Sequence, residues 1–217
     1  EKMINAPIEY GKFGKNFYAN FILELKATNN STCTDFYDMY RNGGCFFTHE
    51  IKRIIEVALK KTYSAVGCNE NEHYIFCREL FRVDITTYIP SSYHRTEKRK
   101  EEAKALDLYD SCWCLDIAVE HENTRSWLDE FYKLNCLFCN LKILVAYQLK
   151  EDQSSALEFA IRGFDCMGDA NKEQFKSSNY LVLFGKRNCD LDGGFGDITK
   201  LYQAYYKPAN SYEFTQL

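Results

Sequence analysis

No apolar run in this chain of 217 residues approaches the ~20 needed to cross a membrane as a helix, so no membrane partner is expected. Charge of one sign is equally scarce. Lys+Arg number 27 against 31 Asp+Glu, a net charge of −4, which excludes a strongly basic nucleic-acid binder and leaves room only for a local basic surface. Proline occurs only 3 times, no linker is long enough to divide the chain, and no internal repeat is present. The expectation is one domain over 1–217, with a core at about 45–187 and additions at both ends. No signal-like pattern opens the sequence, and a chain this long has no need of covalent staples. Most of the 10 cysteines are therefore expected to be reduced and the protein cytoplasmic. Cys136-Leu137-Phe138-Cys139 has zinc-knuckle spacing, but no second pair lies at a matching offset. No cysteine stands at a strand-to-helix elbow with a partner histidine, which argues against a thiol hydrolase.

What the chain does have is aromatic and β-branched residues in short runs. The segment Phe17 to Leu25 reads as helix or strand, and Asn29 to Thr32 as a polar loop that ends it. Thr34 to Arg41 is a short segment stopped by Asn42-Gly43-Gly44. Phe47, Ile51, Ile54, Ile55, Ala58 and Leu59 recur at helical spacing and predict a helix over about Phe47–Tyr63, with Gly67 beyond its end. Glu50 borders that stripe as an acid expected in the first turn, where it complements the helix dipole. Tyr74–Cys77 and Phe81–Ile89 predict strands, Asp84 projecting to the polar side of the second. His94 to Lys104 is a charged run, expected as a solvated helix or as a basic lip against phosphates. Further on, the pattern predicts a helix from Thr124 or Ser126 to about Asn135 and a buried strand over Leu141–Leu149. A helix from Ser154 or Ser155 to Ile161 ends near Gly163, and a buried strand spans Tyr180–Phe184. The loop Asn188 to Gly196 matches neither a calcium loop nor a phosphate loop, and Ile198 to Tyr206 is expected to be helical. The order describes an α/β (α+β) fold, a central mixed β-sheet flanked by helices.

The strand Trp113 to Val119 alternates, with Trp113, Leu115, Ile117 and Val119 on one side and Cys114, Asp116 and Ala118 on the other. Continued, the alternation puts Glu120 and Glu122 with Asp116 and turns His121 to the apolar side as a packed core histidine. Carboxylates side by side at the end of a buried strand repel one another and are costly to desolvate. If Asp84 and Glu120 lie on neighbouring strands, ~4.8 Å apart, they can share a divalent cation, and hard oxygen ligands suit Mg²⁺ or Mn²⁺.

Val83-Asp84-Ile85 followed by Val119-Glu120-His121-Glu122, behind a helix carrying Glu50, resembles the PD-(D/E)XK (restriction-endonuclease-like) nuclease superfamily. The likeness runs from about Thr48 to Tyr147. It implies a restriction-endonuclease-like core and a Mg²⁺-dependent (or Mn²⁺-dependent) endonuclease that hydrolyses DNA. A type II restriction enzyme acting as a homodimer is one form of it. Asp84 and Glu120 would be the metal-binding and catalytic acids, Glu50 the helix glutamate of some members, and Glu122 would stand where lysine is usual, an E-x-E variant. The attacking water would then be handled by Glu122 or by a cation from elsewhere, such as Arg125. The proline of the motif is absent, Val83 standing before Asp84. The alternative is a catalytically inactive interaction protein on the same fold, favoured by the net negative charge and the missing lysine.

Overall fold

The structure, a computed structural model, describes residues 7–31, 35–42, 45–71, 73–80, 82–90, 113–123, 126–187 and 196–217. The charged run from His94, Arg125, and the acids Asp190 and Asp192 lie outside them. Three helices come first: α1 (Tyr10–Ser31), α2 (Asp35–Asn42) and α3 (Cys45–Ala65). The strands and remaining helices follow as β1 (Ile75–Leu80), β2 (Val83–Pro90), β3 (Trp113–His121), α4 (Trp127–Asn135), β4 (Leu141–Tyr147), α5 (Gln153–Cys166), α6 (Asp169–Ser177), β5 (Asn179–Gly185), β6 (Tyr202–Lys207) and β7 (Thr215–Gln216). All seven strands form one mixed sheet in sequence order. β1, β2 and β3 are an antiparallel meander, β3, β4 and β5 run parallel, and β5, β6 and β7 return antiparallel.

Helices cover both faces, and each face has its own core. On one side Phe13, Phe17 and Phe21 of α1 and Ile51, Ile54 and Ile55 of α3 pack on Ile85, Ile117, Val119, Ile143 and Leu181. On the other, Phe131 of α4, Leu157 and Phe164 of α5 and Phe175 of α6 pack on Ala118, Leu144, Tyr180 and Val182. Every residue of β4 is buried, as expected for a strand sandwiched between two helix layers. No described helix is long and apolar enough to cross a membrane.

Several sequence expectations change. The aromatic N-terminal stretch is helix throughout, running past the expected polar break to Ser31. The stretch from Ile198 is not a helix but a single 3₁₀ turn leading into β6. Tyr202 and Ala204 enter one core, while Tyr205 enters the other from a face it shares with Gln203 and Lys207, so a tyrosine interrupts the polar face and masks the period. Helix α6 is short and polar, with one buried residue, Phe175, and so leaves no apolar stripe in the sequence. Gly163 does not stop α5, which continues to Cys166. It is there for space, because a Cβ at 163 would collide with the Tyr132 hydroxyl. Gly185 closes β5 under the same constraint, with Tyr147 ring atoms 2.6 Å and a Tyr202 ring atom 2.9 Å from where a Cβ would stand. Gly185→Val is expected to lower stability by about 1–3 kcal/mol through overpacking, read as a lower urea midpoint at unchanged slope.

The seven described cysteines, 45, 68, 77, 114, 136, 139 and 166, are free thiols. Cys136 and Cys139 each lie 3.6 Å from a backbone carbonyl, of Tyr132 and Leu141. Burial pushes the Cys139 thiol up to about 12.

Candidate functional site

The β2–β3 ladder pairs Ile85 with Val119 and Thr86 with Ala118. One step further, at the open end of the pair, Asp84 stands opposite Glu120. Arg82, in the turn that precedes β2, adopts φ 63°. Val83 enters the core beneath α4 and Ile85 the core beneath α3. Asp84 Oδ2 then accepts a hydrogen bond of 2.8 Å from the backbone N–H of His121, taking over a ladder position. Asp84 is thereby fixed by main chain rather than by side-chain packing.

Each acid is met by a lysine from a different helix. Lys52 of α3 places its Nζ 2.7 Å from Asp84 Oδ1 and 2.9 Å from Glu79 Oε1. Lys133 of α4 places its Nζ 2.6 Å from Glu120 Oε1 and 2.9 Å from the carbonyl of Arg82, and it also pairs with Glu130. Burial opposes the charge on both lysines, but their carboxylate partners outweigh it and raise both ammonium groups above the ordinary range.

Glu120 is only 3% exposed. Its Oε1 lies in ion-pair contact with Lys133, yet not in hydrogen-bonding alignment with any donor among the described residues. Burial pushes its carboxyl up to about 8; Lys133 works against this, and the charge of Asp84 adds to it. Burial and a neighbouring acid thus both disfavour charge on this carboxyl, a kind of perturbation that clusters at functional sites but also occurs in structural ion-pair networks.

The remaining sequence candidates are dispersed. Glu50 lies in the second turn of α3, which begins at Cys45, so it is not the first-turn acid expected. Its carboxylate pairs with Arg53 at 2.9 Å. Glu122 follows the end of β3, half-buried, its backbone N–H donating to Val145 O at 2.9 Å. Asp116 does not share Glu120's face, which corrects the simple alternation. The register skips between Thr87 and Tyr88, so Asp116 is an extra residue in β3 that flips the preceding stretch. Its carboxylate accepts from Tyr10 and Tyr63 on the α1–α3 side and from Asn140 Nδ2 at 2.9 Å. His121 does turn to the core, its Nε2 3.1 Å from the Tyr147 hydroxyl. Burial, helped by the charge of Lys52, depresses its pKa to about 3, so it is neutral at physiological pH.

Beside Asp84 opens a cleft of ≈510 Å³ between α3 and the β1–β2 hairpin. It is lined by Cys45, Thr48, His49, Lys52 and Arg53 of α3 and by Arg78, Glu79, Asp84 and Ile85. Of these, Lys52, His49 and Arg78 carry no local mark of a site in the sequence, and neither does Lys133 beside Glu120. Only the Glu130–Lys133 spacing gives a signal, and that reads equally as a surface helix pair.

Among the described residues, no group of three or more His, Cys, Asp or Glu is arranged to hold a metal ion. Mg²⁺ is commonly held by one or two acids with water and substrate phosphate completing the shell. A cation shared by Asp84 and Glu120 would have to displace Lys52 and Lys133, which meet the two carboxylates from helices on opposite faces of the sheet. Comparison with protein-family models, with curated proteins and with solved structures finds no match to this chain.

Proposed function

We propose that this protein is a divalent-metal-dependent phosphodiesterase that cleaves nucleic acid, with DNA the first substrate to test. The observation that carries the reading is the Asp84–Glu120 pair, two acids held opposite one another at a strand end despite the electrostatic cost to Glu120. The element order supports it: helix α3, the β1–β2–β3 meander, helix α4 and parallel strand β4 come in the order that the resemblance to the restriction-endonuclease-like superfamily implies.

In this reading Asp84 and Glu120 would hold Mg²⁺ or Mn²⁺, and the ion would supply Lewis-acid activation of a phosphoryl group and of water. The chain's own part is positioning. The His121 N–H orients Asp84, and the buried wall around Glu120 keeps water from dispersing the field. Lys133 supplies the ammonium that the E-x-E spacing lacks at Glu122. It stays protonated at neutral pH, so it donates hydrogen bonds and steadies negative charge rather than removing a proton. Lys52, paired to Asp84 at the cleft edge, can do the same for a phosphate.

The test is cleavage of supercoiled plasmid and of circular single-stranded DNA with Mg²⁺ or Mn²⁺. Asp84→Ala is expected to cut the rate at least ~100-fold. Cleavage that survives both Asp84→Ala and Glu120→Gln would falsify the assignment.

A second reading, a catalytically inactive protein on the same fold, is favoured by one fact: Lys52 and Lys133 already neutralise the two acids. Calorimetric titration with Mn²⁺ separates the two. Stoichiometric heat that disappears in Asp84→Ala supports the enzyme, and no heat supports the inactive protein.

A further inference from the structure

The cleft beside Asp84 bears on what the site would act upon. Its α3 wall is formed by residues 45, 48, 49, 52 and 53. At ~100° per residue these occupy one side of the helix, and Phe46 falls about 20° beyond Arg53 on the same rim. It points away from the buried stripe of Phe47, Ile51, Ile54 and Ile55 and is 73% exposed. Phe46 does not itself line the cleft but follows Cys45, which does, and so leaves an exposed ring beside one end of it. Farther along the same helix Arg53 commits one nitrogen each to Glu50 and Thr28, and from the hairpin Arg78 commits one to Glu56. A guanidinium has five N–H donors, so both arginines retain donors for a phosphate.

The size of the cleft narrows the ligand. At ≈510 Å³ it falls within the range of roughly 300–1,000 Å³ that accepts one small-molecule-sized ligand. One or two nucleotide units fit such a space, whereas a duplex would have to lie across its mouth with its bases stacked inside. A ring that can stack on a base and arginines that can follow a backbone are the parts of a single-strand binding groove. Lys52 is paired with Glu79 and Asp84, Arg53 with Glu50 and Arg78 with Glu56, so the cleft has no surplus of positive charge with which to hold a duplex by its phosphates alone.

We infer that the cleft takes a single-stranded nucleic acid, one base stacking on Phe46 while the neighbouring phosphate meets Arg53 and Arg78 and leads toward Asp84. This rests on the phosphodiesterase reading for the chemistry, but not for the binding. The test is fluorescence anisotropy in EDTA, where no metal-dependent cleavage runs, with a labelled 12-nucleotide single strand as DNA and as RNA and with the matching duplex. At least one single strand is expected to bind about tenfold or more tightly than the duplex, and the DNA and RNA arms say which sugar is preferred. Phe46→Ala, a change at an exposed position, is expected to weaken that binding roughly tenfold, with Phe46→Trp restoring it. Duplex binding as tight as single-strand binding, or Phe46→Ala without effect, overturns the inference. Loss of cleavage with binding intact would instead count against the phosphodiesterase reading alone.

Discussion

Glu120→Gln is expected to give a protein that is more stable than the native one and inactive. The carboxyl of Glu120 is pushed from its ordinary value to about 8 by burial and by Asp84, against the pull of Lys133. With a folded-state pKa above the unfolded one, the native state binds the extra proton between pH ~4.5 and 8. The associated stability is present in full below pH ~4.5 and is lost as pH rises through 8. Glutamine keeps the shape and never ionises, so the variant escapes that loss. Urea midpoints of the two proteins should nearly coincide at pH 4.5 and separate steadily toward pH 8.5, the difference reaching a few kcal/mol by linkage. Metal-dependent cleavage should fall at least ~100-fold in the same variant. A Glu120→Gln protein that loses stability at pH 8.5 would show that the carboxylate is held for packing and pairing, not against its own electrostatics.

The second large effect lies farther along the α4–α6 face of the sheet. Lys142 and Lys207 both have fully buried side chains with no carboxylate partner among the described residues. Lys142 Nζ donates to Ser178 Oγ at 2.9 Å and approaches the Asn135 carbonyl at 3.4 Å. Lys207 Nζ is ringed by the carbonyls of Lys176, Ser178, Pro208 and Ser211 and lies 4.6 Å from the centre of the Phe175 ring. Burial lowers Lys142 to about 8, and burial together with the charge of Lys142 lowers Lys207 to about 7. Here the folded pKa is below the unfolded value of ~10.5, so above pH 7–8 the unfolded chain binds more protons than the native one. Stability should therefore climb between pH 8 and pH 10, after the Glu120 contribution has run out. Burial raises the hydroxyls of Tyr63, Tyr147 and Tyr180 well above their ordinary range, so the native state keeps those protons beyond pH 10 and stability turns down there. The expected profile is an alkaline maximum near pH 10, worth on the order of a few kcal/mol relative to pH 8. Lys207→Met and Lys142→Met should flatten the rise. A flat profile in the native protein between pH 8 and 10 would refute this account of the two lysines.

What can be read from the sequence, and what cannot, follows the range of the interactions involved. Helix α3 and strands β4 and β5 are legible because their apolar spacing is a local property of contiguous residues. Asp84 and Glu120 can be nominated because alternation places them near strand ends. Their pairing then follows from β2 and β3 being neighbours in the sheet. The bulge at Asp116 is not legible, since a single extra residue leaves no mark in an alternating pattern but reverses its faces upstream. Nor are Lys52 and Lys133, which reach the two acids from helices on opposite sides of the sheet. Glu50 is misplaced by sequence for a related reason: whether an acid at the border of a helix stripe turns toward a strand or toward Arg53 is decided by tertiary neighbours. The strand at β6 reads as helix because Tyr205 interrupts the polar face that Gln203 and Lys207 would otherwise mark.

Helix α1 is closed over by a strand from much later in the chain. Gly11 and Gly14 lie against the ring of Tyr206, Phe21 meets Tyr202 edge-on at 5.0 Å, and the Tyr18 hydroxyl donates to the Tyr202 carbonyl at 2.7 Å, across 184 positions of sequence. A helix that leaves the ribosome early must therefore wait for β6 before this part of its surface is covered. During synthesis its phenylalanines remain available to chaperones or to other nascent chains, and ribosome-bound intermediates stalled before Tyr202 are where aggregation should begin.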